Sequence, residues 1–394
     1  MRIIFFCYDF SEPNLPRMPW RYIYEMAKGF VRNGYEVTLL SVDNTSERND
    51  EFIGGIRVKR LGLKRLFNVD FLADISCCDY LVWSASPLTV LLAPKLRRLN
   101  KPLILLYTGP FYSLGEVARA HSQGVPFRQL APHYKNAAIP LRLTASMINC
   151  NFVRHVVVLS NNNASVLKRN GCKINKIAII PPGKDAIEVE GLEEIGRTRA
   201  KNDLNLPVHS KIITYLGSLQ EIRGVGVLME AFAKASEGID GLLLLLLART
   251  DKRDETDRWL RKAAALGIKD KMIIVSGVLA RHQLYKYIFS SDIIVVPFVL
   301  VQSDVPIATI ESLAFSKPVI TTRVDGMPDL VGDGGLVVAP GKPSPLAEAI
   351  CLLIQDEKLH ATLSKRSMVL ATERLSWGQT SQGFIKVVEN HVCA

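Results

Sequence analysis

Two segments of the chain set a fixed positive charge beside the open start of a helix. In YLGSLQEIRGVGVLMEAF (215–232), a strand end and the glycine turn at Gly217 and Ser218 lead to Arg223, and a helix begins directly after it. A guanidinium leaving a loop at that point can hold two phosphate oxygens at once. In SDVPIATIESLAFSKPVITTRVDGMPDLVGDGG (303–335), Ser303 or Asp304 suits a helix cap and Pro306 the first turn. That leaves the backbone N–H groups of Ile307 and Ala308 free to attract a diphosphate. Glu311 follows little more than one turn later, where a carboxylate can accept hydrogen bonds from the vicinal hydroxyls of a ribose. Plainer uses exist for each residue: a solvated loop arginine at 223, a simple cap at Asp304, a first-turn acid favoured by the helix dipole at Glu311.

Other chemistries lack their residues. The loop after the first strand carries Pro and Arg where a GxGxxG turn needs glycine, and Gly224-Val225-Gly226 is followed by Met229, so a hydride-transfer enzyme is disfavoured. There is no Walker A loop, no DxD pair and no Gly-x-Ser-x-Gly. The 7 histidines have no HxH or HExxH spacing, which predicts no catalytic metal and no cofactor.

Residues of this kind need strand ends turned toward one crevice. The opening supplies a strand (IIFFCY), a Pro-rich loop, a helix with apolar Ile23, Met26, Ala27, Phe30 and Val31 on one face, a stop at Gly34, and a second strand, EVTLLSV. Continuous apolar runs follow at YLVWSA, PLILLY, HVVVLS and KIAIIPP, the pattern of a parallel sheet buried on both faces. Gly183 to Pro207 is polar, Glu-rich and poorly periodic, and reads as a boundary. The cycle then restarts with KIITYLGSL, GLLLLLLA, KMIIVSG, DIIVVPF, PVITT and GGLVVA. The expected fold is therefore α/β, with two Rossmann-like, doubly wound parallel-sheet domains facing a central cleft, over residues 1–185 and 186–375. Residues 376–394 carry a helical stripe of Phe384, Ile385, Val387, Val388 and Val392.

With 394 residues, 48% hydrophobic and 22% charged, the chain has an ordinary globular composition. Its net charge of +11 is one-sided: residues 1–185 hold 25 Lys and Arg against 13 Asp and Glu, and between Tyr80 and Lys184 the only acid is Glu116. That half is expected to meet an anionic membrane surface, through SPLTVLLAPKLRRLN (86–100) or the stretch Arg128 to Arg154. No nucleic-acid module is recognisable, so nucleic acid is not an expected partner. The longest apolar run, Leu242 to Ala248, is far too short to span a bilayer, and the first strand is too short for a signal peptide. The 7 cysteines have no CxxC spacing and read as reduced thiols. Together these predict a cytoplasmic protein, peripheral on the cytoplasmic face of a membrane. Asn44-Thr45-Ser46 and Asn163-Ala164-Ser165 fit a glycosylation pattern that only a secretory route would use.

GSLQEIRG, then VVPF followed by PIATIESLAFSKPVI, then VDGMPDLVGDGGLVV resemble the donor-binding half of the retaining GT-B glycosyltransferases of family 4. The usual forms in that family are GRLxxxKG, a Glu-x7-Glu segment ending EAMAxGxPVI, and GGxxEhV followed by GxLV. MRIIFF, YEMAKGFVRNGYEVTLL, LSNNNASVLKRNGCKINKIAIIPPGKD and the SW-initiated last helix fit in order. The resemblance implies transfer of a sugar, with retention, from a nucleotide-diphosphate sugar to a hydroxyl of a membrane-associated glycan or glycolipid acceptor. It implies Arg223 and Glu311 as catalytic residues, and Gly217, Ser218, Ser303, Asp304, Pro306, Ile307 and Ala308 beside them around the donor. Arg17, and Tyr107 or Thr108 where the family has its His, are open candidates for contacts to donor sugar or acceptor, with core or turn roles for Tyr107 and Thr108 equally open; the resemblance implies that the last helix crosses back onto domain one. The family needs no metal, since the leaving diphosphate helps take the acceptor proton. Five departures stand out: Arg223 replaces the family's Lys, Ser218 its Arg, Ser303 the first acid of Glu-x7-Glu, RMPW (17–20) its Gly-Gly loop, and Tyr107-Thr108-Gly109 the domain-one His. They leave open an alternative, a non-catalytic nucleotide-sugar-binding protein acting as a partner or scaffold in glycan assembly.

Overall fold

The computed structural model describes residues 1–43, 50–62, 75, 77–185, 190–249 and 253–389; Asn44, Thr45, Ser46 and Val392 lie outside them. The first sheet contains β1 (Arg2–Tyr8), β2 (Glu36–Asp43), β3 (Asp50–Ile53), β4 (Ile56–Gly62), β5 (Tyr80–Ala85), β6 (Leu103–Tyr107), β7 (Val153–Val158) and β8 (Ile177–Ile179). Their order is β3-β4-β2-β1-β5-β6-β7-β8. The second contains β9 (Lys211–Gly217), β10 (Leu242–Ala248), β11 (Met272–Ser276), β12 (Ile293–Val296), β13 (Val319–Thr322) and β14 (Gly335–Val338), in the order β11-β10-β9-β12-β13-β14. Each order turns back on itself at its first strand, so both crevices open at strand C-termini and face each other. The apolar runs account for this: β10 is buried at every residue and β6 likewise, as strands covered by helices on both faces must be.

Two elements depart from the sequence reading. The β3–β4 pair is an antiparallel hairpin at the edge of an otherwise parallel sheet. Its turn is Gly54-Gly55, both at positive φ, and this glycine pair is the signal that could have found it. The polar boundary stretch is also more ordered than its composition suggests: helices Glu190–Ile195 and Arg197–Asp203 fall within it. Lys201 there gives its ammonium to the Val208 and Ser210 carbonyls at 3.1 and 2.7 Å, which ties the stretch to the start of β9.

The chain crosses between the sheets twice. Near 184 it leaves the first sheet, and at Ser376 it returns; Lys184 and Ser376 pair side by side in a parallel bridge. Helix Trp377–Glu389 then packs on helix Trp20–Arg32, with Phe384, Ile385 and Val388 buried beside Phe5 and Phe30. A Cβ on Gly29 would lie 2.2 Å from the Ser381 Cβ, so only glycine admits this contact.

Candidate functional site

The strand ends and the helix starts meet in a cavity of about 240 Å³ between the two halves. Domain two contributes Gly217 from the end of β9, Arg249 just past β10, Gly277 to Leu279 past β11, and Ile307 and Glu311 from helix Ile307–Ala314. Domain one closes it with the Pro-rich loop, including Pro13, Leu15 and Arg17, and with Arg21. Four residues named from the sequence, Arg17, Gly217, Ile307 and Glu311, therefore line one space.

Helix Ile307–Ala314 begins as Pro306 dictates. Pro306 is the cap residue, at φ −70 and ψ 123, and no side chain caps the helix. The expected caps are otherwise engaged. Ser303 gives its hydroxyl to the Thr108 carbonyl at 3.3 Å, and the Asp304 backbone N–H donates to the same oxygen at 3.0 Å. The first-turn N–H groups of Ile307 and Ala308 have no acceptor within their own helix, which is the ordinary condition of a helix start. One turn in, Glu311 is buried and its Oε2 has no hydrogen-bond partner. Burial pushes its carboxyl up to about 7, against the pull of Arg249. The Tyr285 hydroxyl nearby is likewise buried without a partner, and burial raises its pKa, with Glu311 adding to the rise.

Arg223 is not among the lining residues. It ends the 3-10 turn Glu221–Arg223, and its Nη2 donates to Gln302 Oε1 at 3.1 Å, one residue before Ser303. Its guanidinium lies 5.4 Å from the Phe298 ring centre, and its Nε is buried and unpartnered. Gly224 makes this possible: at φ +75, a Cβ there would fall 1.9 Å from the Pro297 carbonyl oxygen. The arginine turn is thus pressed against the end of β12 and reaches the loop that feeds helix Ile307–Ala314. Ser218 faces inward through its carbonyl, which accepts the Tyr215 hydroxyl at 2.7 Å.

Two expected contacts lie elsewhere. Tyr107 is fully buried, its ring tilted against Phe111 with centres 5.0 Å apart and its hydroxyl 3.4 Å from the Ser86 carbonyl. As the last residue of an all-apolar central strand, it packs into the core and presents nothing to a ligand. Asp304 is completely buried in the seam between the domains. Its Oδ2 accepts from Asn163 Nδ2 at 3.0 Å, and Asn163 Nδ2 also donates to the Gly109 carbonyl at 3.0 Å. Asp325 stands beside it and accepts from Asn162 Nδ2 at 2.5 Å. Burial, with the neighbouring carboxyl, raises the pKa of Asp304 well above the ordinary range; burial raises Asp325 too. Two adjacent acids in one dry seam share protons rather than face a ligand. Asn163, buried and bonded, has no exposed amide for the glycosylation pattern it begins.

Arg249 is a lining residue that sequence reading missed, as are the charged Arg21, Asp185 and Arg281. For Arg249 the available signal was positional: the residue after a fully apolar parallel strand emerges at the crevice. A charge cluster frames the cavity on its domain-one side, where Arg21 Nη2 meets Asp185 at 2.7 Å and Glu25 at 3.0 Å, and Arg281 meets Asp185 at 3.4 Å.

Two family descriptions match the chain, and together they take in most of it. Glycosyltransferase Family 4 matches residues 20–186, and Glycosyl transferases group 1 matches residues 210–356. A D-inositol 3-phosphate glycosyltransferase of Corynebacterium efficiens is 26% identical over 212 residues, covering 52% of this chain and 49% of that protein. The alignment thus spans about half the length of the curated relatives it matches. Among solved structures, sucrose-phosphate synthase from Thermosynechococcus elongatus superposes with a TM-score of 0.73 at 19% identity, covering 100% of this chain and 99% of that one. HepE of Anabaena, solved with UDP, superposes with a TM-score of 0.73 at 15% identity, covering 99% of this chain and 100% of that one. The fold is the two-domain GT-B fold of these glycosyltransferases.

Proposed function

Because the chain belongs to the family 4, group 1 glycosyltransferases, we propose that it moves a sugar, with retention, from a nucleotide-diphosphate sugar in the cavity to a hydroxyl of a phosphate-bearing, membrane-associated acceptor. Glu311 carries this reading: a buried carboxylate without a partner, one turn below open helix N–H groups, at the strand ends where this fold leaves its ligand crevice. The ribose hydroxyls donate to Glu311. The diphosphate lies on the amides of Ile307 and Ala308 and meets Arg223 from the Gln302 side. Charge builds on that diphosphate as the sugar leaves, so donors already aimed at it lower the barrier. The departing phosphate oxygen then takes the acceptor proton, and no metal is assigned a part. Arg17 and Thr108, from domain one, remain the contacts proposed for sugar or acceptor. The working domains are 1–185, 186–375 and 376–394.

The relatives' named acceptor carries a phosphate, and the basic first half suits an anionic acceptor of that kind. Exposed Leu114 and Phe127, with Arg119 and Arg128, stand on helices Leu114–Ser122 and Phe127–Ala137, which follow the cleft end of β6. Among the described residues, no helix is long and apolar enough to cross a membrane, so the proposed attachment is peripheral, on the cytoplasmic face. The experiment is transfer from a panel of nucleotide sugars by the wild type and Arg223→Ala. Loss of the guanidinium is expected to cost about 2–4 kcal/mol of barrier, roughly 30- to 1,000-fold in kcat/KM. Wild-type turnover by Arg223→Ala would remove it from the site. Donor binding without transfer by the wild type would support the scaffold alternative, for which the uncharged Ser218 and Ser303 speak.

A further inference from the structure

Arg249 holds a position that its surroundings do not explain. Its backbone N–H donates to the Gly217 carbonyl at 3.2 Å, which fixes the residue beside the β9 turn, and its side chain lines the cavity with Ile307 and Glu311. Among the described residues, its guanidinium makes no hydrogen bond and no ion pair within 4.0 Å. Burial lowers its pKa; Glu311 is the strongest charge on it and opposes this, as does Tyr215, while the like charges of Arg223 and Arg17 lower it further. A single carboxyl, Glu311, stands against three guanidiniums, Arg249, Arg223 and Arg17. A partly buried cation set among cations is costly unless an anion joins it.

The loop beside it lacks a charge. Ser218, the neighbour of Gly217, occupies the place where a two-cation diphosphate clamp would carry an arginine. We propose that Arg249 supplies the second guanidinium of that clamp from the adjacent strand end, so that Arg223 and Arg249 grip the nucleotide diphosphate from two sides while Arg17 closes from domain one. The inference rests on the donor site proposed above and names a residue for it. It also explains why an arginine can stand at the end of a strand whose seven residues are all buried and apolar.

The test compares paired ligands. Uridine and UDP, guanosine and GDP, adenosine and ADP are titrated calorimetrically into the wild type, Arg249→Gln and Arg249→Lys. For the base that the wild type prefers, Arg249→Gln is expected to lose roughly 10- to 100-fold in affinity for the diphosphate while nucleoside affinity stays within about twofold. Arg249→Lys keeps the charge but not the fork, and is expected to lose less than about tenfold, again only for the diphosphate; it decides the matter should the Gln variant fail to fold. Equal weakening of nucleoside and diphosphate, or no weakening of either, overturns the role given to Arg249. A wild type that binds a diphosphate no better than its nucleoside removes the donor site itself, and with it the inference.

Discussion

Asp304 and Glu311 sit seven residues apart on one segment, both buried and both with raised pKa values, yet they face different surroundings. Asp304 lies in the seam: Asn163 donates to its Oδ2, Asp325 stands against it and its N–H goes to the Thr108 carbonyl, while its Oδ1, unpartnered, is fully buried away from the cavity. Glu311 faces an open cavity with one oxygen unpartnered and cations on several sides. Depth alone therefore does not mark a functional acid. What separates the two is whether the unpartnered oxygen belongs to a residue that lines the cavity.

The sharpest way to break this contrast is to neutralise each acid in turn. Glu311→Gln is expected to lower kcat/KM by roughly 10- to 100-fold, the worth of charged hydrogen bonds to a ligand, while Asp304→Asn stays within about twofold. A reversed order would mean that the seam acid, not the cavity acid, serves the donor.

The pH dependence of stability gives a middle-sized effect. Glu311 is raised from its ordinary 4.5 to about 7, so the folded protein holds a proton that the unfolded chain releases, and the ligand-free protein loses stability as pH rises through that window. At 1.36 kcal/mol per unit, that is about 3 kcal/mol. Melting curves from pH 5 to 8 should fall, and Glu311→Gln should flatten them in part. Asp304→Asn should remove a further portion, because its carboxyl also resists ionisation. Ribose hydroxyls favour the ionised Glu311, so nucleotide binding should strengthen over the same range.

The smallest effect concerns the surface. Replacing Arg119 and Arg128 with Ala should weaken binding to anionic vesicles at low salt by about 1 kcal/mol per charge and leave transfer to a soluble acceptor unchanged. A fall in soluble-acceptor turnover instead would assign those cations to the acceptor itself.

Much of the frame was readable in advance because buried parallel strands announce themselves: each apolar run from IIFFCY to GGLVVA became a strand. The β3–β4 hairpin was not, since its half-exposed residues lack a continuous apolar run and only Gly54-Gly55 marks it. In the site, Pro306, Ile307 and Glu311 were legible because helix starts have local rules. Asp304 lies off the cavity because a polar group beside a crevice can be engaged by a partner far away in sequence, as Asn163 engages Asp304 across 141 residues; Tyr107 does because it ends a fully buried strand and takes the core role its sequence left open. Arg249 was missed because its signal is position alone, directly after the apolar run of β10; the convergence of three strand ends gives it meaning.

The paired crossings at Lys184 and Ser376 have a mechanical consequence. Two strands of chain joined side by side leave the lobes one shared line about which to swing, much as two pins define the axis of a door. Displacement grows with distance from that line, so a few degrees of rotation would part the far ends of the lobes widely while stirring the residues beside the pins very little. Arg21 and Asp185, close to the axis, can remain joined throughout the stroke.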